Sequence, residues 1–440
     1  MQISVIGCGY LGAVHAACMA KLGHDVIGVD VNAEKVRLLT RGTAPFHEPG
    51  FDDLLAEQVD SGRLRFSTDF AELAGAQVHF VGVGTPQVEG GYAADLTYVN
   101  AAVDSLLPHL HPHPDGPTLV VGKSTVPVGT AAGLAERIAP TGALLVWNPE
   151  FLREGFAVQD TISPDRIVYG VPQDAEQARA AQDTLDEVYA DLLRQQIPRL
   201  VSDYQTAELV KVAANSFLAT KISFINAMAE LCEATGADVT QLAEAIGLDD
   251  RIGKKFLKAG VGFGGGCLPK DIRAFMARAG ELGVDQALTF LREVDTINNR
   301  RRDHVVQLAQ HAVGGEFSGT RVAVLGAAFK PNSDDMRNSP ALDIANRIAG
   351  SGAQVRITDP QAGAVLAQRR PDMDVSSSAE EAMRDADVVL LLTEWDEFKN
   401  LDPETTRSLP AHPVMIDGRN VLDPAQWRAA GWTYHGIGRP

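Results

Sequence analysis

The sequence is poor in positive charge and in cysteine. Its 440 residues include 39 lysines and arginines against 57 aspartates and glutamates, which gives a formal net charge of −18 at pH 7. Because nucleic acids and anionic membranes repel an acidic surface, we expect neither as a partner. The four cysteines, Cys8, Cys18, Cys232 and Cys267, form no Cys-x-x-Cys pair and show no metal-ligand spacing. This pattern indicates reduced thiols, no metal site and a cytoplasmic location.

Long apolar runs are missing as well. None approaches the roughly 18 consecutive apolar residues that span a bilayer. No basic-plus-apolar segment precedes the first strand-like residues, so we expect no signal peptide. A hydrophobic content of 45% is ordinary for a globular enzyme. At roughly 150 residues per domain, the length has room for two or three domains.

The N-terminus carries the pattern of a dinucleotide-binding unit. An apolar run at residues 3–6 is followed by Gly7-Cys-Gly-Tyr-Leu-Gly12, by a helical stretch that stops at Gly23, and by a second run ending at Asp30. In this order the glycines admit a pyrophosphate to the helix N-terminus, and the acid accepts hydrogen bonds from a ribose. Val31 and Asn32 offer no arginine to a 2′-phosphate, so the pattern favours NAD over NADP.

Short apolar runs alternate with helical stretches in two parts of the chain. In the first part they lie at residues 77–83, 118–122, 143–147 and 166–169, and in the second at 320–326, 353–359, 386–393 and 414–417. This alternation predicts an α/β fold with two doubly wound, mostly parallel sheets. The second sheet lacks the glycine fingerprint, since Ala327, Ala328 and Phe329 follow Gly326, and we expect it to bind something other than NAD.

The residues between the two α/β parts are helical in pattern. The stretch from Ser202 to Gly236 is apolar on more faces than one domain covers, and Ser202 with Gln205 predicts a capping box at its start. A helix of this kind is buried between domains or between subunits. These changes of character divide the chain into three expected domains, residues 1–201, 202–300 and 301–440.

The segment from Gly260 to Asp271 is the most informative in the chain. Its sequence is Gly-Val-Gly-Phe-Gly-Gly-Gly-Cys-Leu-Pro-Lys-Asp, so five glycines lead to Cys267, with Lys270 and Asp271 beside it. The glycines leave the backbone open to close approach by a ligand. The segment alone is equally compatible with a nucleophile beside a bound nucleotide and with a flexible loop before a small buried cysteine.

Further motifs decide between these alternatives. They are Ser124-Thr-Val-Pro-Val-Gly-Thr130, Asn148-Pro-Glu-Phe-Leu-Arg-Glu-Gly155, the pair Lys211 and Asn215, and Ala328-Phe-Lys-Pro-Asn-Ser-Asp-Asp-Met-Arg337. Together with the segments above, they resemble the UDP-glucose/GDP-mannose dehydrogenase family over nearly the whole chain. The resemblance implies an N-terminal NAD-binding Rossmann domain, a central helical domain whose long helix forms the core of a homodimer, and a C-terminal Rossmann-like domain that binds a UDP-sugar.

The resemblance also implies a reaction and its catalytic residues. The reaction is the NAD-dependent, four-electron oxidation of a nucleotide sugar at C6, with UDP-glucose closer to the motifs than GDP-mannose or a UDP-N-acetylhexosamine. Cys267 would form a thiohemiacetal and then a thioester, while Lys211 and Asn215 would stabilise the oxyanion. The implied catalytic set is Cys267, Lys211, Asn215, Asp271, Glu150 and Thr125, the last two at water-binding positions.

Binding residues follow from the same resemblance. The positions implied for NAD are Gly7, Gly9, Tyr10, Leu11, Gly12, Asp30, Lys35, Thr85, Thr125, Glu154, Lys270 and Arg337. The positions implied for the nucleotide sugar are Glu150, Phe151, Leu152, Arg153, Glu154, Lys211, Asn215, Arg251, Phe256, Leu257, Lys258, Ala259, Gly260, Gly264, Phe329, Lys330 and Arg419. Arg251 matches a residue that reaches into the sugar site of the partner subunit.

The sequence departs from the family at two positions and leaves two other classes of protein open. Gly266 stands where the family often has serine, and Trp147 where a small residue is common. A two-electron β-hydroxyacid dehydrogenase has a similar Rossmann-plus-helix plan, but it would need neither Cys267 nor a second nucleotide fold. A non-catalytic nucleotide-sugar sensor would be expected to lack Cys267 or Lys211, and both are present.

Overall fold

A computed structural model describes residues 1–440. Contacts divide the chain into a first unit, Met1–Ala214 with Arg273–Leu282, and a second unit, Asn215–Ile272 with Gly283–Pro440. Each contains one sheet with helices around it. No helix of the structure is both long enough and apolar enough to cross a bilayer.

The elements of the first half of the chain alternate between strand and helix. The strands are β1 (Gln2–Ile6), β2 (Asp25–Val29), β3 (Leu64–Ser67), β4 (Val78–Val81), β5 (Leu119–Gly122), β6 (Leu144–Trp147), β7 (Ile167–Val171) and β8 (Arg199–Asp203). The helices are α1 (Tyr10–Lys21), α2 (Ala33–Thr40), α3 (Phe51–Asp60), α4 (Thr97–Leu106), α5 (Thr130–Ile138), α6 (Ala157–Ile162), α7 (Ala175–Val188) and α8 (Ala190–Arg194). Short 3-10 turns lie at Phe70–Leu73, Leu107–His109 and Ala139–Thr141.

The eight strands form one sheet in the order β3-β2-β1-β4-β5-β6-β7-β8. Its first six strands are parallel and have the order of a dinucleotide-binding fold, while β7 pairs with β6 in the antiparallel sense. β4, β5 and β7 are buried along their whole length, as expected of strands covered on both faces. The apolar runs did not predict β3 and β8.

The bulky Trp147 is accommodated by a glycine on the neighbouring strand. Gly122 is the register partner of Trp147, and a Cβ at Gly122 would overlap the indole ring. The side chain of Trp147 is 2% exposed. The departure at Trp147 is therefore matched by the absence of a side chain at Gly122.

The rest of the chain contains four helices, then a second sheet with further helices. The helices are α9 (Tyr204–Thr235), α10 (Val239–Gly247), α11 (Leu268–Glu281) and α12 (Thr289–Ala312), with a 3-10 turn at Asp285–Leu288. The strands are β9 (Arg321–Leu325), β10 (Gln354–Thr358), β11 (Asp374–Val375), β12 (Val388–Leu391), β13 (Val414–Asp417) and β14 (Thr433–Gly436). The remaining helices are α13 (Pro340–Gly350), α14 (Gly363–Arg369), α15 (Ala379–Met383), α16 (Asp396–Lys399), α17 (Pro403–Thr406) and α18 (Pro424–Ala429).

The second sheet is parallel throughout and has the order β11-β10-β9-β12-β13-β14. Its core is continuous with buried residues of α9 and α12, including Ile225, Ala229 and Val305. The structure confirms the predicted fold class: two doubly wound, mostly parallel sheets with a long central helix and a helical middle section. β11 and β14 were not predicted.

The long helix begins differently from its predicted start. Ser202 belongs to β8, and α9 starts at Tyr204. The Asp203 carboxylate accepts hydrogen bonds from the Thr206 N–H at 2.7 Å and from the Thr206 hydroxyl at 3.1 Å. The predicted capping box at Ser202 is therefore wrong, because the sheet extends one residue further and the next polar residue caps the helix.

Substitution at Asp203 tests this correction. Asp203→Ala removes the acceptor of the Thr206 N–H and should lower the free energy of unfolding by about 0.5–2 kcal/mol. Ser202→Ala is the matched control, and we expect a change below about 0.5 kcal/mol. Urea unfolding at neutral pH measures both values. The Thr206 N–H lowers the pKa of Asp203, so the difference should disappear as the pH falls through that lowered pKa. Equal losses for the two variants would contradict the assignment.

Candidate active site

The first turn of the N-terminal unit is shaped by its glycines. Gly7 has a φ of +89°, and a Cβ at Gly12 would overlap the Gly7 carbonyl oxygen. Gly9 caps α1 and has no heavy atom within 4 Å of its ideal Cβ position. The turn therefore needs Gly7 and Gly12 for its own packing, while Gly9 leaves bare backbone at a helix N-terminus, where a pyrophosphate binds.

Asp30, which follows β2, is held beside this turn by hydrogen bonds. The Asp30 carboxylate accepts the Cys8 N–H at 2.9 Å, the Asn32 N–H at 2.9 Å and the Lys35 ammonium at 2.7 Å. A carboxylate offers about four lone-pair sites, which leaves room for one ribose hydroxyl. Burial raises the pKa of the Cys8 thiol, which is therefore unreactive. These residues fit an NAD molecule.

A buried glutamate joins the glycine turn to the segment at residues 148–155. Glu48 is 2% exposed and accepts a hydrogen bond from the Tyr10 hydroxyl. It also accepts the Gly155 N–H and the Ala157 N–H, each at 2.7 Å. Burial and this carboxylate raise the pKa of Tyr10. Glu48 was not among the predicted site residues, and a lone Glu before Pro49 gave no signal for such a role.

The Thr125 segment is held by its neighbours in the first unit. The Thr85 hydroxyl donates to the Thr125 carbonyl oxygen at 2.7 Å. Beyond it, the Glu208 carboxylate accepts the Gly129 N–H at 2.7 Å and the Ala131 N–H at 2.6 Å, which caps the start of α5. Burial raises the pKa of Glu208. Thr85 and Thr125, predicted separately, are thus brought together.

The first unit also brings Lys211 and Glu150 together. The Lys211 Nζ lies 2.9 Å from Oε1 of Glu150, and Lys211 is 5% exposed. Oε2 of Glu150 accepts the Leu152 N–H at 2.6 Å. The Phe151 ring lies beside this lysine, with its centroid 5.8 Å from the Lys211 Nζ. A cation and a carboxylate fixed in this way can stabilise an oxyanion and orient a water.

Cys267 is presented at the start of a helix in the second unit. It is exposed, and its carbonyl oxygen accepts the Asp271 N–H at 2.9 Å, so it is the residue that precedes the first turn of α11. The helix dipole stabilises negative charge at this position. The carboxylate of Asp271 is buried and accepts the Asn215 amide at 2.6 Å and the Lys270 ammonium at 2.8 Å.

Two buried asparagines hold the glycine-rich segment by its backbone. The Asn226 side-chain oxygen accepts the Gly260 N–H at 2.9 Å. Asn298 accepts the Phe263 N–H at 2.7 Å and donates to the Phe263 carbonyl at 3.0 Å, as a neighbouring strand would. Neither asparagine was predicted, because an isolated asparagine in a helical pattern looks the same whether it faces solvent or a loop.

Some of the predicted sugar-binding residues before the glycine-rich segment are buried, and others are exposed. Leu257 and Ala259 lie in the hydrophobic core, so only their backbone can face a ligand. Lys258 is exposed, and Phe256 adopts a φ of +64°. Arg251 is exposed and bonds Asp249 at 2.6 Å within its own chain. The Arg251 side chain is therefore not packed in the core. Its contact with a partner subunit stays a prediction.

Basic residues of the second unit surround the same glycines. Arg419 donates to the carbonyl oxygens of Leu392 at 2.7 Å, Gly262 at 3.3 Å and Phe329 at 3.3 Å. The Lys330 Nζ lies 5.2 Å from the Phe329 ring centroid. A Cβ at Gly266 would lie 2.5 Å from Cζ of Arg337. The departure at Gly266 therefore lets the Arg337 guanidinium pack on the backbone just before Cys267.

Three models of known domains match successive parts of the chain. All describe the UDP-glucose/GDP-mannose dehydrogenase family. The NAD binding domain matches residues 1–193, the central domain residues 205–300 and the UDP binding domain residues 323–424.

Whole proteins are similar as well. The UDP-glucose 6-dehydrogenase of Rhizobium meliloti is 41% identical, with 100% of both chains covered. A solved UDP-glucose dehydrogenase from Pyrobaculum islandicum is 37% identical, with a TM-score of 0.89 over 100% of this chain and 98% of that one. A UDP-D-ManNAc dehydrogenase from Pyrococcus horikoshii is 28% identical, with a TM-score of 0.86 over 100% and 99%. The similarity extends over every segment that carries a predicted site residue.

Alanine at two glycines of the first turn should separate binding from folding. Gly9→Ala meets open space, so we expect an unchanged Tm but a rise in the NAD KM of about tenfold, equivalent to about 1.4 kcal/mol. Gly12→Ala should lower the Tm, because its methyl group would overlap the Gly7 carbonyl. Steady-state kinetics measures the NAD KM, and differential scanning fluorimetry measures the Tm. An unchanged NAD KM in Gly9→Ala would contradict close approach of the pyrophosphate.

Proposed function

The chain belongs to the UDP-glucose/GDP-mannose dehydrogenase family of NAD-dependent oxidoreductases, and we propose that its substrate is UDP-glucose. The proposed reaction oxidises the C6 hydroxyl of glucose to a carboxylate. UDP-glucose, two NAD and one water give UDP-glucuronate, two NADH and protons. We also propose three domains, at residues 1–201, 202–300 and 301–440, and a cytoplasmic location.

The observation that carries the proposal is the presentation of Cys267. An exposed thiol precedes the first turn of α11, on a glycine segment whose backbone is fixed by Asn226 and Asn298. A buried acid, Asp271, lies one turn further on and is bonded to Asn215 and Lys270. A two-electron dehydrogenase needs no such nucleophile, whereas a four-electron oxidation has to retain the aldehyde between its two steps.

The cofactor site is assigned to the glycine turn of the first unit. Gly7, Gly9 and Gly12 would hold the pyrophosphate, Asp30 and Lys35 the ribose, and Thr85 the neighbouring part of the molecule. Bound NAD supplies the acceptor for the hydride that leaves C6 in each of the two oxidations. The pinned Asp30 would meet the 2′-phosphate of NADP with its negative charge, which favours NAD.

Cys267 would carry the covalent chemistry. Its sulfur adds to the carbonyl carbon of the C6 aldehyde, and the new C–S bond keeps the intermediate on the enzyme as a thiohemiacetal. Oxidation of that carbon gives a thioester. Water then attacks the thioester carbon, the C–S bond breaks, and the sulfur leaves as the thiol while the sugar leaves as the carboxylate.

The charged residues are assigned to the oxygen atoms of these intermediates. Lys211 and Asn215 would stabilise the oxyanion that forms when sulfur or water adds to the carbonyl. Glu150, held by Lys211 and by the Leu152 N–H, would take a proton from the attacking water, with Thr125 positioning that water. Asp271 would serve as the acid or base beside Cys267. Glu154 and Arg337 are kept as cofactor-side positions.

UDP-glucose is favoured over other nucleotide sugars. Relatives that carry UDP-glucose in their names are 41% and 37% identical to this chain, whereas the UDP-D-ManNAc dehydrogenase is 28% identical. The UDP binding domain assigned to residues 323–424 favours a uridine nucleotide over GDP-mannose. The second nucleotide-type sheet, with Arg419 and Lys330 beside the glycine segment, also distinguishes the chain from a β-hydroxyacid dehydrogenase.

A homodimer is the proposed assembly. Phe217, Phe224 and Leu231 of α9 are 68%, 49% and 58% exposed and follow one another at intervals of seven residues. Residues with this spacing form one stripe along a helix, which suits contact with a second helix. Exposed large apolar residues aligned in this way are typical of an interface. We assign the stripe to a second copy of the chain, with Arg251 reaching the sugar site of the partner subunit.

The number of NADH molecules formed per sugar tests the proposed function. With limiting UDP-glucose and excess NAD, we expect two NADH per sugar and no free aldehyde, because Cys267 retains the intermediate. Absorbance at the NADH band and product chromatography measure the two quantities. A panel with UDP-N-acetylhexosamines and GDP-mannose is the control, and a ratio of one NADH per sugar would instead favour a two-electron dehydrogenase.

The control for the covalent step is Cys267→Ser. A serine hydroxyl is a poorer nucleophile, and its ester is hydrolysed more slowly than a thioester. Turnover should stall, with a sugar adduct on the protein detectable by mass spectrometry or with an aldehyde retained in the complex. Steady-state turnover close to that of the wild type would exclude the covalent mechanism.

Mixed dimers test the role of Arg251. Arg251→Ala should raise the sugar KM and leave the NAD KM little changed, while Cys267→Ala should be inactive. In a mixed dimer, one site combines the intact Cys267 of one subunit with the intact Arg251 of the other. Statistical exchange should therefore restore up to about a quarter of the wild-type activity at limiting sugar. No recovery after verified subunit exchange, or a fully active monomer, would contradict the shared site.

A further inference from the structure

A lysine lies in the interior of the first unit, at the end of β5 and just before the Thr125 segment. Lys123 is 8% exposed, and its Nζ donates to the Asn148 side-chain oxygen at 3.0 Å. The Phe80 ring centroid lies 5.7 Å from the same nitrogen. An ammonium loses its hydration in such a place, so lysines are rarely buried without a carboxylate partner. Here the acceptor is an amide, and the presence of the lysine needs a reason.

Local hydrogen bonding does not supply that reason. The Asn148 oxygen also accepts the Tyr189 hydroxyl at 2.7 Å, and the Asn148 amide donates to the Val168 carbonyl at 2.8 Å. The Asn148 backbone N–H donates to the Gly122 carbonyl at 2.8 Å. Asn148 would therefore stay in place without Lys123. What only the lysine adds is positive charge.

That charge lies near the Glu150–Lys211 pair, because the acceptor of the Lys123 ammonium, Asn148, precedes Glu150 by two residues. Burial lowers the pKa of Lys123 to about 8, the carboxylate of Glu150 opposes this shift, and the ammonium of Lys211 adds to it. His15 also faces Lys123, but burial holds the pKa of His15 well below its usual range, so it adds no charge at neutral pH. Lys123 and Lys211 are thus two ammonium groups that both interact electrostatically with the buried part of the chain around Glu150.

The buried charge opposes folding, because the ammonium loses its hydration and burial lowers its pKa. The pKa of Lys123 lies below its ordinary value of 10.5. The unfolded chain therefore binds this proton more tightly than the folded chain, and the folded state gains stability as the pH rises from about 8 to about 10.5. A lysine kept for stability alone would show the opposite behaviour.

We propose that Lys123 is a positioning residue of the reaction, whose buried ammonium supplies a second positive charge near Glu150. This inference rests on the proposed function, because it assigns Lys123 to the same chemistry. Lys123 acts through Glu150 and Lys211 and is not itself assigned a contact with the sugar. Fixed positive charge in a dry site stabilises negative charge that develops on oxygen, and it costs no reorganisation during the reaction.

Three variants separate charge from hydrogen bonding and from packing. Lys123→Met keeps the length of the side chain and removes the charge. We expect its Tm to be unchanged or higher and its NAD KM to be unchanged. Its kcat should fall about ten- to hundredfold, which is the loss seen when a residue that supports a metal ligand is removed. Lys123→Gln keeps a donor for Asn148 without the charge and should lose kcat to the same extent. Tyr189→Phe removes the other donor to Asn148 and keeps the charge, so its loss should be clearly smaller.

The outcomes against the proposal are distinct. Wild-type kcat in Lys123→Gln would show that a hydrogen bond is sufficient. A lower Tm in Lys123→Met with unchanged kcat per folded molecule would make Lys123 a structural residue. A loss in Tyr189→Phe equal to that in Lys123→Met would assign the effect to Asn148. If Lys123→Met does not fold, Lys123→Gln carries the same test. If wild-type enzyme oxidises another nucleotide sugar from the panel and not UDP-glucose, the proposed substrate fails, and the three variants are compared with that sugar.

Discussion

A charge taken out of water costs several kcal/mol unless hydrogen bonds or an opposite charge replace the lost hydration. This protein buries carboxylates at several of its most important positions. Glu48 is compensated by Tyr10 and by two backbone N–H groups, and Glu208 by the start of α5. In each case the partners belong to segments that carry predicted site residues. The need to compensate a buried charge therefore fixes the segments on which the chemistry depends.

Backbone groups do much of the remaining positioning, and this explains why glycine and asparagine recur. A side chain at Gly262 would lie 2.5 Å from the Asn298 side-chain oxygen, so the glycine and the asparagine are needed together. Asn298 then holds Phe263 by both of its backbone polar groups. An amide can donate and accept at once, whereas a carboxylate cannot donate. Cys267 is presented on a segment whose geometry is set from outside by such contacts.

The sequence predicted the parts of the fold that leave a local signal. Buried strands such as β4 and β12 are short apolar runs, and the glycine fingerprint lies within six residues of sequence. The strands that it missed leave weaker signals: β8 is mostly exposed, and β11 has two residues. The helix cap was misplaced because Ser202 and Asp203 are both good caps, and only the extent of β8 decides between them.

The residues that support the site could not be predicted from the sequence for a different reason. Glu48 contacts Gly155 across 107 positions of sequence, and Asn298 contacts Phe263 across 35. Such contacts depend on the completed fold, and a single glutamate or asparagine gives no sequence signal from which they could be predicted. The predicted site residues came instead from motifs, and the structure groups them within each unit. Their individual roles stay predictions.

The two sheets show how one topology can serve two purposes. Asp30 and Asp359 follow the second strand of their sheets, and both accept backbone N–H groups of the turn after the first strand. Asp30 has three donors and keeps capacity for a ribose hydroxyl. Asp359 has five, from Ala327, Ala328, Gln361, Ala362 and the Trp395 indole, which exceeds the about four lone-pair sites of a carboxylate. Asp359 therefore has no free lone pair for a ligand, because its carboxylate already accepts hydrogen bonds from its own turn and from neighbouring groups. A ligand of the second sheet has to be recognised by other groups, and Lys330 and Arg419 beside the glycine segment stay the predicted contacts.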